Sequence, residues 1–254
     1  MIIIESKRKK ISTLEKKYPG ATIIDVTSHS GTEMVKFSPF YPHGGIPVPF
    51  SEGITSMSVE GIWQGLKVFN SVDIDMSCFR NDTMKNLKRT VRTNGPCKGH
   101  RKGVHGKELL GYLSARKLIY LPSYKWVLDH RVRHLIDQLR EISEKGTLIL
   151  LDYETNPDVW DASSPLSHAS LIKAYIEGTY PVGENESLEL EENKKEETAP
   201  ETPLFSSGQR VFHNKFGEGT VDSIDQEAGK IKVNFDSVGM KTLVLSLSKL
   251  EAIR

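Results

Sequence analysis

One stretch sets what the rest of this chain can fold into. Gly183 to Pro203 reads GENESLELEENKKEETAPETP, with eight Glu and two Pro against two Leu and no aromatic residue. Such a composition buries too little apolar surface to offset the entropy of ordering its backbone. It predicts a solvated acidic linker over 183–203, with a short charged helix around Ser187–Glu197 as the rival description. The 254 residues thereby divide into a large region, 1–182, and a small one, 204–254, each with the composition of a folded domain. No internal repeat runs across them.

Charge and cysteine content exclude several classes. With 34 Lys and Arg against 33 Asp and Glu, the formal net charge is +1. That is neither a uniformly basic nucleic-acid coat nor an acidic tail protein, although a local patch can hide in a neutral sum. The longest apolar runs, Met1–Ile4 and Thr147–Leu151, fall far short of the roughly 20 residues that span a bilayer. The N-terminus turns basic at Lys7–Lys10 after its apolar residues, the reverse order of a secretory signal. Cys78 and Cys97 cannot make a disulfide scaffold. These features predict a soluble protein of a reducing cytoplasm with no membrane partner.

In the small region, short alternating runs are separated by Gly-bearing turns. Gln209–His213, Thr220–Ile224, Lys230–Phe235 and Met240–Leu245 have the period of two that marks antiparallel strands. Four or five strands in about 50 residues predict a small closed β-barrel, because an open sheet of that size leaves unpaired edges.

The large region mixes element types. Ala21–Val26 predicts a strand, and Thr147–Tyr153 a strand buried on both faces. Ser58 can cap a helix over Ser58–Phe69, with Val59, Ile62, Leu66 and Phe69 inward. Ser123 can cap a long helix ending near Gly146, and Pro165 precedes a last helix, Leu166–Ile176. The fold class expected is α+β, not an alternating doubly wound sheet.

Three features carry chemistry. Glu60, Gln64 and Lys67 recur at helical spacing with Trp63 at their margin. An exposed polar face is the plainer account, but a proline-stiffened loop with Phe40 and Tyr41 precedes them and can wall a flat ligand. Next, Asp152 to Asp161 places four carboxylates and Trp160 on a loop leaving the buried strand; an ordinary acidic turn is the alternative. Third, Arg80 to Lys107 holds nine cations, Arg101 among them, against Asp82 alone. Its glycines could bring backbone N–H groups to a phosphate, and a solvated surface is the alternative. Cys97, His100, His105 and Cys78 lack the paired short loops of a zinc signature, so no metal is expected. Gly-x-Ser-x-Gly and phosphate-loop motifs are absent, and no cofactor is implied.

Ser38-Pro39-Phe40-Tyr41-Pro42, followed by Ser58-Val59-Glu60 with Gln64 and Lys67, resembles the opening of the NADAR (YbiA-like) superfamily. Leu151-Asp152 through Asp158-Val159-Trp160 and the helix after it resemble that superfamily's closing segment. Gly61 stands where those proteins usually carry His or another polar residue. The resemblance implies an N-glycosidase acting on an N-ribosyl compound, such as an ADP-ribosyl nucleobase. Glu60 and Asp158 would be its catalytic acids, in interchangeable roles. Phe40, Tyr41, Trp63, Gln64, Lys67, Arg101 and Trp160 would bind the substrate.

The small region has a resemblance of its own. Gly208–His213 and Lys215–Val221, with Val233-Asn234-Phe235, Gly239-Met240-Lys241 and Leu250-Glu251, are similar to the Tudor-like domain that ends UvrD/PcrA helicases. That implies docking to RNA polymerase, another protein or nucleic acid through Arg210, Phe212, Lys215 and Phe216. The function expected is a hydrolase recruited by this module; the alternative is a non-catalytic nucleotide- or nucleic-acid-binding adaptor linked to RNA polymerase or a DNA-repair partner.

Overall fold

The apolar run of the large region becomes a strand, Leu148–Asp152, buried at every residue. It is the middle of a three-stranded parallel sheet, flanked by Ile2–Ser6 and Thr22–Asp25. Alternation explains why the run is apolar throughout. Leu148 and Leu150 face the main core, while Ile149 and Leu151 face a smaller cluster with Leu14 and Tyr18.

This computed structural model describes residues 1–181, 205–213, 216–225, 230–244 and 250–253. The acidic linker expected over 183–203 and the docking residue Lys215 lie outside the described residues. The chain divides into two compact units, Met1–Asn185 and Glu186–Arg254.

In chain order, the first unit begins with β1 (Ile2–Ser6), α1 (Ile11–Lys17), β2 (Thr22–Asp25), β3 (Ile46–Pro47) and β4 (Thr55–Ser56). It continues with α2 (Val59–Gly65), β5 (Lys67–Phe69), α3 (Val91–Asn94), β6 (Cys97–Arg101) and β7 (Leu109–Leu110). It ends with α4 (Tyr112–Ala115), α5 (Leu121–His130), α6 (Arg133–Lys145), β8 (Leu148–Asp152) and α7 (His168–Ile176). Mixed helices and strands agree with the α+β class. A second sheet, β5-β6-β7, is antiparallel.

Two helices differ from expectation. The helix expected over Ser58–Phe69 stops at Gly65, and Lys67–Phe69 is a strand. Distant donors capture the carbonyls that would have continued it. Arg89 takes those of Gln64 and Lys67, Asp75 N–H that of Gly65 and Arg101 N–H that of Leu66. The second helix begins ahead of Ser123, which is a buried interior residue and not a cap. A π turn, Arg116–Tyr120, joins α4 to α5 and widens the helix just before Pro122, whose ring lacks an N–H to donate. The same path breaks at Arg131–Val132, so α5 and α6 are separate.

The second unit is an antiparallel sheet of β9 (Arg210–His213), β10 (Gly217–Asp225), β11 (Lys230–Phe235), β12 (Gly239–Val244) and β13 (Leu250–Ala252). Its order is β12-β11-β10-β9-β13, so the last strand returns beside the first. Val211, Val221, Ile231, Val233 and Phe235 fill its core. Gly219 lets β10 cross Phe235: a Cβ there would lie 2.8 Å from the ring and from the Asn234 carbonyl.

Candidate functional site

The start of α2 is built from both halves of the opening motif. Ser58 Oγ accepts the Gly61 N–H at 2.9 Å, capping the helix. The Glu60 N–H donates to the Pro39 carbonyl at 2.8 Å, which pins the Ser38–Tyr41 loop onto the first helical turn. Tyr124 donates its hydroxyl to the Phe37 carbonyl and fixes that loop from the opposite side. Gly61 and Gly65, four residues apart, let the Met76–Arg80 turn pack against α2. A Cβ on Gly61 would come within 2.6 Å of the Cys78 carbonyl, and one on Gly65 within 2.3 Å of the Phe79 ring. Gly61 is thus a packing requirement, and a polar side chain at that position has no room.

Glu60, Gln64 and Lys67 form one hydrogen-bonded chain. Gln64 Oε1 accepts from Lys67 Nζ at 3.0 Å and from the Arg89 N–H at 3.1 Å, so its amide nitrogen faces Glu60 and donates to Oε1 at 2.7 Å. Glu60 is only 9% exposed, and burial raises its carboxyl above the usual range against the pull of Gln64, Lys67 and Lys88. Its other oxygen, Oε2, has no partner among the described residues yet is not sealed from solvent. Burial also lowers Lys67, although Glu60 opposes the shift.

An aromatic wall adjoins this chain. The Trp63 ring lies 3.8 Å from that of His100 and meets Tyr112 and Tyr120 edge-on at 5.7 and 5.8 Å. His100 is 2% exposed, and neither ring nitrogen meets hydrogen-bond geometry. Burial, with Lys67 as its register partner across β5 and β6, depresses it to about 3, so the ring is neutral. The half-buried Phe40 ring carries Lys88 over its face, and Tyr41 packs on His43.

The acidic loop is held by Arg116, one of the most deeply buried side chains. Its guanidinium donates to the carbonyls of Asp158, Val159, Asp161 and Ser164 and to the Tyr112 hydroxyl. Asp158 itself is exposed, and its carboxylate accepts the Trp160 N–H at 2.8 Å within its own turn. No hydrogen bond or ion pair joins Glu60 to Asp158 among the described residues. What links the loop to α2 is the path Arg116–Tyr112–Trp63. Trp160 is 63% exposed, with the Lys117 ammonium over its ring.

Asp152 plays a different part from the rest of that loop. Its carboxylate accepts from Ser167 Oγ, the Ala169 N–H and His168 Nδ1, while His168 Nε2 donates to the Val26 carbonyl at 2.9 Å. With acceptors on both nitrogens, His168 is an imidazolium paired to Asp152. Burial opposes both charges, yet their mutual attraction holds Asp152 low and His168 high. Ser, His and Asp meet here, but Nε2 is committed to a carbonyl, so this is a structural tie and not a nucleophile with its base.

The basic stretch separates into two groups. Arg101 bonds the Gly106 carbonyl and both carboxylate oxygens of Asp73, and Arg89 is spent on backbone carbonyls. Arg80, Lys85, Arg92, Lys98 and Lys107 are exposed and have no acidic partner among the described residues. Its glycines serve backbone packing: a Cβ on Gly103 would sit 2.0 Å from the Phe50 carbonyl, and one on Gly99 2.6 Å from that of Leu110. A cleft of about 360 Å³ lined by Phe50, Leu118, Leu121, Trp126 and Tyr180 includes neither Glu60 nor Asp158.

In the second unit Arg210 is ion-paired with Asp236 and Glu218, a network that ties β9 to β10 and to the end of β11. Phe212 is exposed, whereas Phe216 stacks on His213 and packs on Phe235.

Arg116, Tyr120 and His168 lie outside the motifs of the sequence. For the first two the sequence holds one signal, the spacing Tyr112, Arg116, Tyr120, since residues four apart share a helix face. No helix among the described residues is long and apolar enough to cross a membrane. No curated protein matches the chain. One family model does, over residues 6–172, from the end of β1 into α7, and so contains every element of the Glu60 site. The chain belongs to the family of unknown function DUF6939.

Proposed function

We propose that the first unit is an N-glycosidase-like hydrolase of N-ribosyl compounds, ADP-ribosyl nucleobases among them. The second unit is read as a Tudor-like barrel that docks it to RNA polymerase or another partner. The observation that carries the enzymatic reading is Glu60: a buried carboxyl, one oxygen fixed by Gln64 and the other open, beside an aromatic wall. Breaking the C1′–N bond leaves positive charge on the sugar, which an adjacent carboxylate stabilises. Water adds its oxygen to C1′, and the bonding pair departs with the nitrogen, which takes a proton. A carboxyl raised by burial suits either proton transfer. Trp63 and Phe40 offer faces for a base. Asp158, on the loop that Arg116 holds beside Tyr112, is the second acid in this reading.

The test is release of base from a panel of N-ribosides and ADP-ribosylated nucleic acids. Glu60→Gln keeps the acceptor for Gln64 and removes the charge, so it abolishes release and retains binding. Unchanged turnover removes Glu60 from the mechanism.

The exposed cations Arg80, Lys85, Arg92, Lys98 and Lys107 favour a second reading, a nucleic-acid-binding adaptor. Affinity for an oligonucleotide would then fall steeply with salt, whereas a small neutral riboside would respond little.

A further inference from the structure

Four tyrosines cluster between α2 and the helices after β7, and three of them have hydroxyls hydrogen-bonded within the protein. Tyr124 donates to the Phe37 carbonyl, Tyr180 to the Leu121 carbonyl, and Tyr112 accepts from Arg116. The Tyr120 hydroxyl makes no hydrogen bond among the described residues, and it is not among the sealed, orphaned polar atoms. Its ring is gripped on two sides, edge-on to Trp63 at 5.8 Å and stacked on Tyr124 at 6.1 Å with 14° between planes. A half-buried phenol with a fixed ring and an unspent hydroxyl is a donor awaiting an acceptor.

The backbone beneath it points the same way. Tyr120 ends the π turn Arg116–Tyr120, and α2 packs against that turn. Single π turns inside helices recur at functional sites because the extra residue rotates side chains away from the regular stripe. Here the one turn aims Arg116 at the acidic loop, Lys117 at Trp160 and Tyr120 at the α2 side.

We propose that Tyr120 is a ligand-binding residue of the Glu60 site, its hydroxyl donating a hydrogen bond to an acceptor atom of the N-ribosyl ligand opposite Glu60 Oε2. This rests on the hydrolase reading given above. Burial first, then the charges of Glu60 and Asp152, keep the phenol neutral, so its role is donation and not proton transfer.

Tyr120→Phe retains both ring contacts and removes only the hydroxyl. With ADP-ribose as the probe in calorimetry, the variant binds about three- to tenfold more weakly than wild type while its Tm is unchanged. Tyr180→Phe, which loses its bond to the Leu121 carbonyl inside the protein, shows the opposite pattern: a lower Tm and wild-type affinity. On a cleaved N-riboside, Tyr120→Phe raises KM more than it lowers kcat. Wild-type affinity and KM in Tyr120→Phe, or a Tm loss like that of Tyr180→Phe, overturns the assignment. If wild type binds ADP-ribose, Tyr120→Phe weakens it, and no base is released from any riboside, the hydrolase reading falls and Tyr120 stands. A wild-type chain that neither binds ADP-ribose nor releases base overturns both.

Discussion

At the scale of single residues, two buried carboxyls show how opposite environments set opposite behaviour. Glu60 has one neutral donor and more distant cations, so burial wins and its folded pKa lies above the ordinary Glu value of about 4.3. The folded state then binds more protons than the unfolded chain, and Glu60 costs stability as pH rises through that interval. Glu60→Gln therefore matches wild type at pH 4 and exceeds it at pH 7 by about 1 kcal/mol in denaturant unfolding, while losing the base release proposed above. Equal stability at both pH values would mean that the carboxyl is not desolvated. Asp152 has the reverse surroundings, with the Ser167 hydroxyl and the Ala169 N–H as donors beside the His168 imidazolium. Its lowered pKa contributes stability that is present above about pH 4 and lost as pH falls through the folded value. His168, raised, contributes stability that is present below about pH 6.5 and lost as pH rises through its folded value. The pair is thus fully effective between about pH 4 and 6.5. Asp152→Asn strands the imidazolium and costs about 3–5 kcal/mol within that window, read by denaturant unfolding at pH 5.5.

At the scale of elements, α2 is held in place by what it lacks. Gly61→Ala should gain about 1 kcal/mol of helix propensity, but the new Cβ meets the Cys78 carbonyl at 2.6 Å and Ser56 Oγ at 2.9 Å. Backbone cannot give way as a flexible side chain can, so overpacking costs about 1–3 kcal/mol and net stability falls. Gly111→Ala, with open space around its Cβ and φ of −63°, leaves the midpoint unchanged in the same assay. The same local-versus-distant contrast decides what could be read from the residues in advance. β8, α7 and the strands of the second unit follow from their own hydrophobic period, and so does the adjacency of Glu60 and Gln64. The end of α2 does not, because Arg89 and Arg101 take its last carbonyls from more than twenty residues away. Ser123 looks like a helix cap only because a π turn is invisible to a 3.6-residue period. Arg101 looks like a phosphate ligand until Asp73, far off in sequence, occupies it.

At the scale of the whole molecule, the two units have separate cores, and among the described residues neither core cluster contains a residue of the other unit. The larger core gathers residues from Ile2 to Ile172; the smaller rests on a few side chains such as Val211, Ile231, Val233 and Phe235. Small cores have little stability to spare, so one truncation there has a large proportional effect. Ile231 is fully buried on β11, paired with Ile224 and Leu243 across the neighbouring strands. Ile231→Ala should cost about 2–5 kcal/mol, comparable with the whole stability of a domain this size. If the units fold independently, wild-type calorimetry gives two transitions and the variant shifts or abolishes only one. On the hydrolase reading proposed above, release of base from a small N-riboside stays at the wild-type level in that variant, because Glu60, Trp63 and Tyr120 all belong to the other unit. If the second unit docks a partner as proposed, retention of that partner is lost at the same time. A single transition that moves as a whole, or turnover that falls with Ile231, would show that the site draws on both units.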